Sequence, residues 1–226
     1  MEVAEQNYAK SVKLLETLQS RYPYGRYAQQ ALMEIAYANH KQNEPDAALS
    51  AADRFIKQFP NSLNLDYIYY LKGLINFNDQ TGFFSRLSLQ DPAERDPQAL
   101  RDSFDAFREL LARFPDSRYA EDAKLRMQFL INTMSRSDIR VASYYLRRGA
   151  YIAAVNRANN VLKEFPQTRQ TRDALQIMVL AYDAMGQNDL RDDAQRVLDL
   201  NVAKDGIKPG INDTLQRSGS WWQFWL

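Results

Sequence analysis

The sequence predicts an all-α protein, a solenoid of about five stacked helical hairpins with the first truncated. Two observations carry that prediction. Four stretches end in an aromatic residue followed by proline: Tyr22-Pro23, Phe59-Pro60, Phe114-Pro115 and Phe165-Pro166. Counting back from each proline, the twelfth residue is small (Ser11, Ala48, Ser103, Ala154). The eleventh is apolar (Val12, Leu49, Phe104, Val155), and so is the fifth (Leu18, Phe55, Leu110, Val161). Agreement at these offsets is an internal repeat.

Positions spaced by three, four and seven share one helix face, so each stretch carries one apolar stripe. The small residue lets a neighbouring helix come close, and the proline stops the helix and suits the first turn of the next. This is the pattern of the second helix and exit turn of a tetratricopeptide-like hairpin, which places an aromatic four residues after the small one. That middle place holds Leu15, Ala52, Phe107 and Ala158, of which Phe107 fits best. A single hairpin cannot bury its own face, so neighbours stack.

Residues 8–22 read as a helix with Tyr8, Val12, Leu15 and Leu18 on its apolar face. In the repeat scheme it is a second helix, and a bare face would forgo roughly 1.5–3 kcal/mol per large side chain. The chain is therefore expected to begin inside its first repeat. Residues 24–42 form the next helix and 45–59 its partner, with Pro45 in the first turn and Asp46 beside it. Residues 62–78 open the third repeat. The stretch 79–96 then breaks the rhythm with Gly82, Phe83, Phe84, Leu87 and Leu89 among polar residues, and the proline spacing grows from 37 to 55 residues. Such an insert is either functional or a plug in which Phe83 and Phe84 fill the groove.

The helix over 97–114 completes that repeat. Residues 117–148 remain helical in character over about 48 Å, with a stripe of Ala123, Met127, Leu130, Ile131 and Met134 and a second of Val141, Ala142 and Tyr145; Ser135–Asp138 is a place where it could bend or break. A turn at Arg147–Tyr151 leads to 152–165, and 168–185 with 189–204 make a last hairpin around Gly186-Gln187-Asn188. In it Ala194 and Leu198 keep the register, and Gly206 stands where proline would fall. The organisation expected is a solenoid over 1–204, with amino-terminal repeats in 1–96 and carboxy-terminal repeats in 97–204, followed by a tail over 205–226 whose Gly206, Pro209, Gly210, Ser218 and Gly219 predict flexibility. The tail closes with Trp221, Trp222, Gln223, Phe224, Trp225 and Leu226, holding all three tryptophans of the chain. An exposed cluster of this kind marks a membrane interface or a partner pocket, or else packs back on the solenoid end.

The 226 residues are 45% hydrophobic and 25% charged with net charge +1. That balance gives no electrostatic case for nucleic acid. With no cysteine there is no thiol catalysis and no disulfide. No apolar run reaches the length of a membrane span, and Met1–Glu5 is not a signal peptide, so the protein is cytoplasmic or has lost a leader. The single histidine, His40, stands outside any motif, and no phosphate-binding, zinc-protease or nucleophile-elbow signature occurs. Asp91, Glu94 and Asp96 surround Arg95, a capping and ion-pair pattern. No catalytic residue, metal site or cofactor is expected.

What remains is surface. Solenoids of this type bind peptides or partner domains on the face lined by the first helix of each pair. The register from Pro23 and Pro60 points Tyr27, Gln30, Glu34, Tyr37, Asn64, Tyr67 and Leu71 there. Met33 and Tyr70 stand where the pattern wants something small. Tyrosines offer area with a hydrogen-bonding tip, which suits peptide recognition.

More specific matches follow in order along about Asn7 to Asn201: Arg21-Tyr-Pro-Tyr-Gly25, Asp53-Arg-Phe-Ile56, Asp66-Tyr67 with Leu71-Lys-Gly-Leu74, Arg95-Asp-Pro97, and Tyr144-Tyr145 through Arg148-Gly-Ala150 to Asn156-Arg157. In these the chain resembles the BamD (YfiO/ComL) family of outer-membrane assembly lipoproteins. The resemblance implies a lipid-anchored scaffold on the periplasmic face of the outer membrane, within the β-barrel assembly machine. It implies carboxy-terminal repeats that dock on the POTRA domains of BamA, with Arg148 and Arg157 on that side. It further implies amino-terminal repeats that help recognise unfolded barrel proteins, and contacts with the BamC and BamE lipoproteins. The lipid-attachment cysteine of the family is absent from this sequence, and the aromatic tail matches only some members. On this reading the tail imitates a barrel substrate's own signal and occupies the groove. The alternative is another periplasmic or cytoplasmic tetratricopeptide adaptor that binds short peptide tails.

Overall fold

The computed structural model describes residues 7–25, 27–77 and 97–204, with side chains as far as Asn201. Among these the secondary structure is entirely helical: α1 (Tyr8–Arg21), α2 (Ala28–Lys41), α3 (Pro45–Gln58), α4 (Leu65–Phe77), α5 (Pro97–Arg113), α6 (Ala120–Arg147), α7 (Tyr151–Glu164), α8 (Gln170–Ala184) and α9 (Asn188–Lys204). The 79–96 insert with Phe83 and Phe84, and the tail with Trp221, Trp222, Phe224 and Trp225, lie outside the described residues.

The four repeats that end in an aromatic–proline pair share one exit turn. The aromatic N–H donates to the carbonyl four residues back, at 2.8 Å for Tyr22, Phe59 and Phe114 and 2.9 Å for Phe165. The aromatic carbonyl then accepts from Gly25, Ser62, Ser117 or Thr168 at 3.0–3.1 Å. These turns use up the residues after each proline, so α2, α4, α6 and α8 start four or five residues after it rather than immediately. Pro45 begins α3 with Asp46 in its first turn, where the missing N–H is no loss and the carboxylate faces the positive helix end.

The repeat offsets have physical counterparts. Ser11, Ala48, Ser103 and Ala154 are all buried, as are Phe55, Leu110 and Val161 five residues before their prolines. Ser103 shows why the place must be small: its Oγ donates to the carbonyl of Gly73 at 2.9 Å, pulling α5 against α4. A Cβ on Gly73 would stand 2.3 Å from the Phe107 ring.

The described residues fall into two compact units, within Met1–Ser137 and Asp138–Leu226. In the first, α1 to α5 pack pairwise in sequence around Leu32, Phe55, Ile68, Leu71, Phe107, Leu110 and Leu130. In the second, α7 packs on α8 and α8 on α9, with Ala142, Ala154, Ala158, Val161, Ala174 and Ile177 as core. The boundary falls inside α6, which runs unbroken for 28 residues. Ser135–Asp138 is helical within it, and the buried Ser135 hydroxyl donates to the Asn132 carbonyl at 3.1 Å.

Candidate peptide-binding groove

Within the first unit, a groove of about 340 Å³ is lined by Met33, Glu34, Tyr37, Asn64, Tyr67, Arg118 and Tyr119. Four of the seven residues placed on this face by register, Glu34, Tyr37, Asn64 and Tyr67, therefore meet in one concavity. Tyr27 precedes α2 and is exposed, and Gln30 is exposed on that helix; neither lines the groove. Leu71 requires correction: it is 1% exposed and packs in the core. The helix that carries it, α4, packs against α2, α3 and α5, so it is apolar nearly all round and one turn beyond Tyr67 already faces inward.

The groove wall is a stack of aromatic rings. Tyr67 lies 5.8 Å from Tyr119, which stacks on Tyr70 at 4.6 Å with a 15° interplanar angle. Tyr70 is fixed from behind by donating to Asp122 Oδ2 at 2.6 Å, and the same oxygen accepts from Arg126 Nε at 2.6 Å. Arg126 in turn lies over the Phe77 ring at 5.0 Å. On the other wall Tyr37 meets Tyr8 edge-on at 6.4 Å, and Lys41 Nζ lies 5.5 Å over its ring.

Charge is placed at two points. Arg118 is exposed, lies 4.7 Å over the Tyr119 ring and donates from Nη2 to the Tyr119 hydroxyl. Glu34 is half-buried on α2. Both act on Tyr67: burial pushes its phenol up, Tyr119, Tyr37 and Glu34 push it further the same way, and Arg118 opposes them. The phenol therefore stays a neutral hydrogen-bond donor. Tyrosine rings, a phenol donor, an amide, one carboxylate and one guanidinium suit an extended peptide with aromatic side chains. Among the described residues no group of histidine, aspartate or glutamate could hold a metal ion.

Register alone did not point to Arg118 and Tyr119. A signal for them was present, since Ser117-Arg118-Tyr119 repeats Gly25-Arg26-Tyr27 at the same distance after proline. Their placement follows from Ser117, whose Oγ donates to Asp66 Oδ2 at 2.7 Å and accepts from the Tyr119 N–H at 3.2 Å.

In the second unit, Arg157 pairs with Asp138 at 3.1 Å, with 41% of its side chain exposed against 16% for the aspartate. Arg148 is exposed just before Gly149, whose φ of 74° closes the turn. Its Nε donates to the Tyr144 hydroxyl at 3.2 Å, and its guanidinium lies 5.5 Å over that ring.

The sequence profile of YfiO, described as an outer membrane lipoprotein, matches residues 1–197. The chain belongs to this family. Among curated relatives, the outer membrane protein assembly factor BamD of Neisseria meningitidis serogroup B (strain ATCC BAA-335 / MC58) is 42% identical over 226 residues, covering 99% of this chain and 83% of the relative. The protein of the same name from Xylella fastidiosa (strain 9a5c) is 40% identical over 196 residues, covering 87% and 67%. That of Pasteurella multocida (strain Pm70) is 34% identical over 198 residues, covering 88% and 76%. Relatives in the YfiO family are named as assembly factors, not enzymes. Among the described residues no helix is long and apolar enough to cross a membrane.

Proposed function

We propose that this chain is a non-catalytic scaffold subunit of the outer-membrane β-barrel assembly machine, at the periplasmic face of the outer membrane. Outer-membrane protein assembly is the role its relatives are named for. The amino-terminal repeats hold aromatic segments of unfolded barrel proteins in the Tyr37–Tyr67–Tyr119 groove. The carboxy-terminal repeats dock on the POTRA domains of BamA through the side bearing Arg148 and Arg157. BamC and BamE are further partners, and a lipid anchor holds the assembled protein at the membrane.

The observation that carries this reading is the groove: rings braced by Asp122 and Arg126, with Glu34 and Arg118 at their margin. Its test is the binding of a labelled, aromatic-rich barrel strand peptide by fluorescence anisotropy. Tyr67→Ala and Tyr119→Ala should each weaken binding about tenfold or more, the range of a central aromatic contact, with helicity unchanged. Unaltered affinity in both folded variants would remove the groove from substrate handling.

A further inference from the structure

The last helix carries an apolar stripe that its own unit leaves uncovered. Leu190, Val197 and Leu200 on α9 are 46%, 41% and 59% exposed, while Ala194 on the same helix is buried. At 100° per residue, Leu190, Val197 and Leu200 fall along one side of the helix, next to the buried face. The repeat that carries α9 has no following hairpin among the described residues to cover this stripe, and terminal repeats of a solenoid otherwise present a polar outer face.

We propose that the chain's own segment Trp221–Leu226 caps this stripe and docks along the Leu190–Val197–Leu200 side of α9. Trp221 follows Lys204 by 17 residues, and such a length spans at most about 60 Å. The 17 residues of α9 rise only about 25 Å, so the segment can return to Leu190 at its far end. Trp-Trp-Gln-Phe-Trp-Leu provides the aromatic area that a stripe of leucine and valine lacks. Tethering gives it an effective concentration on the order of millimolar, which favours it over a free partner at the same face.

All three tryptophans of the chain lie in this segment, so tryptophan emission of the full protein reports on it alone. The emission should be shifted to shorter wavelength and protected several-fold from acrylamide quenching relative to a free peptide of residues 205–226. Dilution should not change it, and Val197→Glu combined with Leu200→Glu should return it toward the peptide value with helicity intact. Leu190→Lys reads the same face should the double variant lose helicity. Three results would each overturn the proposal: emission equal to that of the free peptide, a shift that the α9 variants leave in place while Tyr67→Ala in the groove removes it, or a shift lost on dilution, which would assign the face to a second copy.

Discussion

At the residue scale, the Gly73–Phe107 contact is the sharpest test of packing. Phe107 is fully buried, and its ring occupies the space a Gly73 side chain would need. Gly73→Ala should destabilise the protein by about 1–3 kcal/mol through overpacking, although alanine is the better helix former by ~1 kcal/mol. Phe107→Ala should cost about 3–5 kcal/mol; urea unfolding measures both. Tyr67 supplies a pH test. Its folded-state phenol titrates above the ordinary value because of burial first and neighbouring Tyr119, Tyr37 and Glu34 next. The unfolded chain therefore releases this proton first, and the stability tied to the neutral phenol is present below about pH 10 and falls as pH rises beyond it. Tyr67→Phe should flatten the alkaline limb of a stability–pH curve; an unchanged limb would place the effect on other groups. The small repeat residues were legible because their place is buried in all four repeats that end in an aromatic–proline pair, whereas the apolar fifth place is buried at Phe55, Leu110 and Val161 and only half-buried at Leu18. Leu71 was not legible, because register tells which way a residue points but not how many helices surround its element.

Among the elements, the exit turns do more than reverse the chain. Ser62 Oγ donates to Gln29 at 2.9 Å and Ser117 Oγ to Asp66 at 2.7 Å; Gln29 and Asp66 lie at the same offset after Pro23 and Pro60. Each serine thus ties a turn to the first helix of the preceding repeat. Ser117→Ala should cost about 0.5–2 kcal/mol, the range of a lost cap. It should also weaken peptide binding, because Arg118 and Tyr119 depend on that turn; a loss of stability with peptide affinity intact would separate turn from groove. Periodicity located α6 but left its continuity open. A polar run such as Ser135-Arg136-Ser137-Asp138 reads equally as a break or as a helix face; in the structure it is helix, inside the span Ala120–Arg147, with Ser135 buried. Arg157 changes meaning at this scale too, because Asp138 on α6 holds it against the start of the second unit. A pair this exposed contributes about 1 kcal/mol or less. Arg157→Leu should thus lower the melting temperature slightly and leave most of the arginine's effect to be seen in partner binding.

For the whole molecule, the repeat makes the helical-hairpin fold readable from the sequence, since stacking is the one way such hairpins bury their stripes. The groove was readable in part: Glu34, Tyr37, Asn64 and Tyr67 follow from register, Met33 does not, and Arg118 and Tyr119 come from a later repeat brought alongside by packing. The docking proposed above, through the carboxy-terminal repeats, is what would make this chain a scaffold of the assembly machine. Co-elution of the full protein with the POTRA domains of BamA from the same organism on size exclusion at moderate salt tests it most directly. A stable complex is expected, which Arg157→Leu abolishes and Tyr67→Ala leaves intact. Failure of the folded wild-type protein to co-elute, or a complex indifferent to Arg157→Leu, would contradict it.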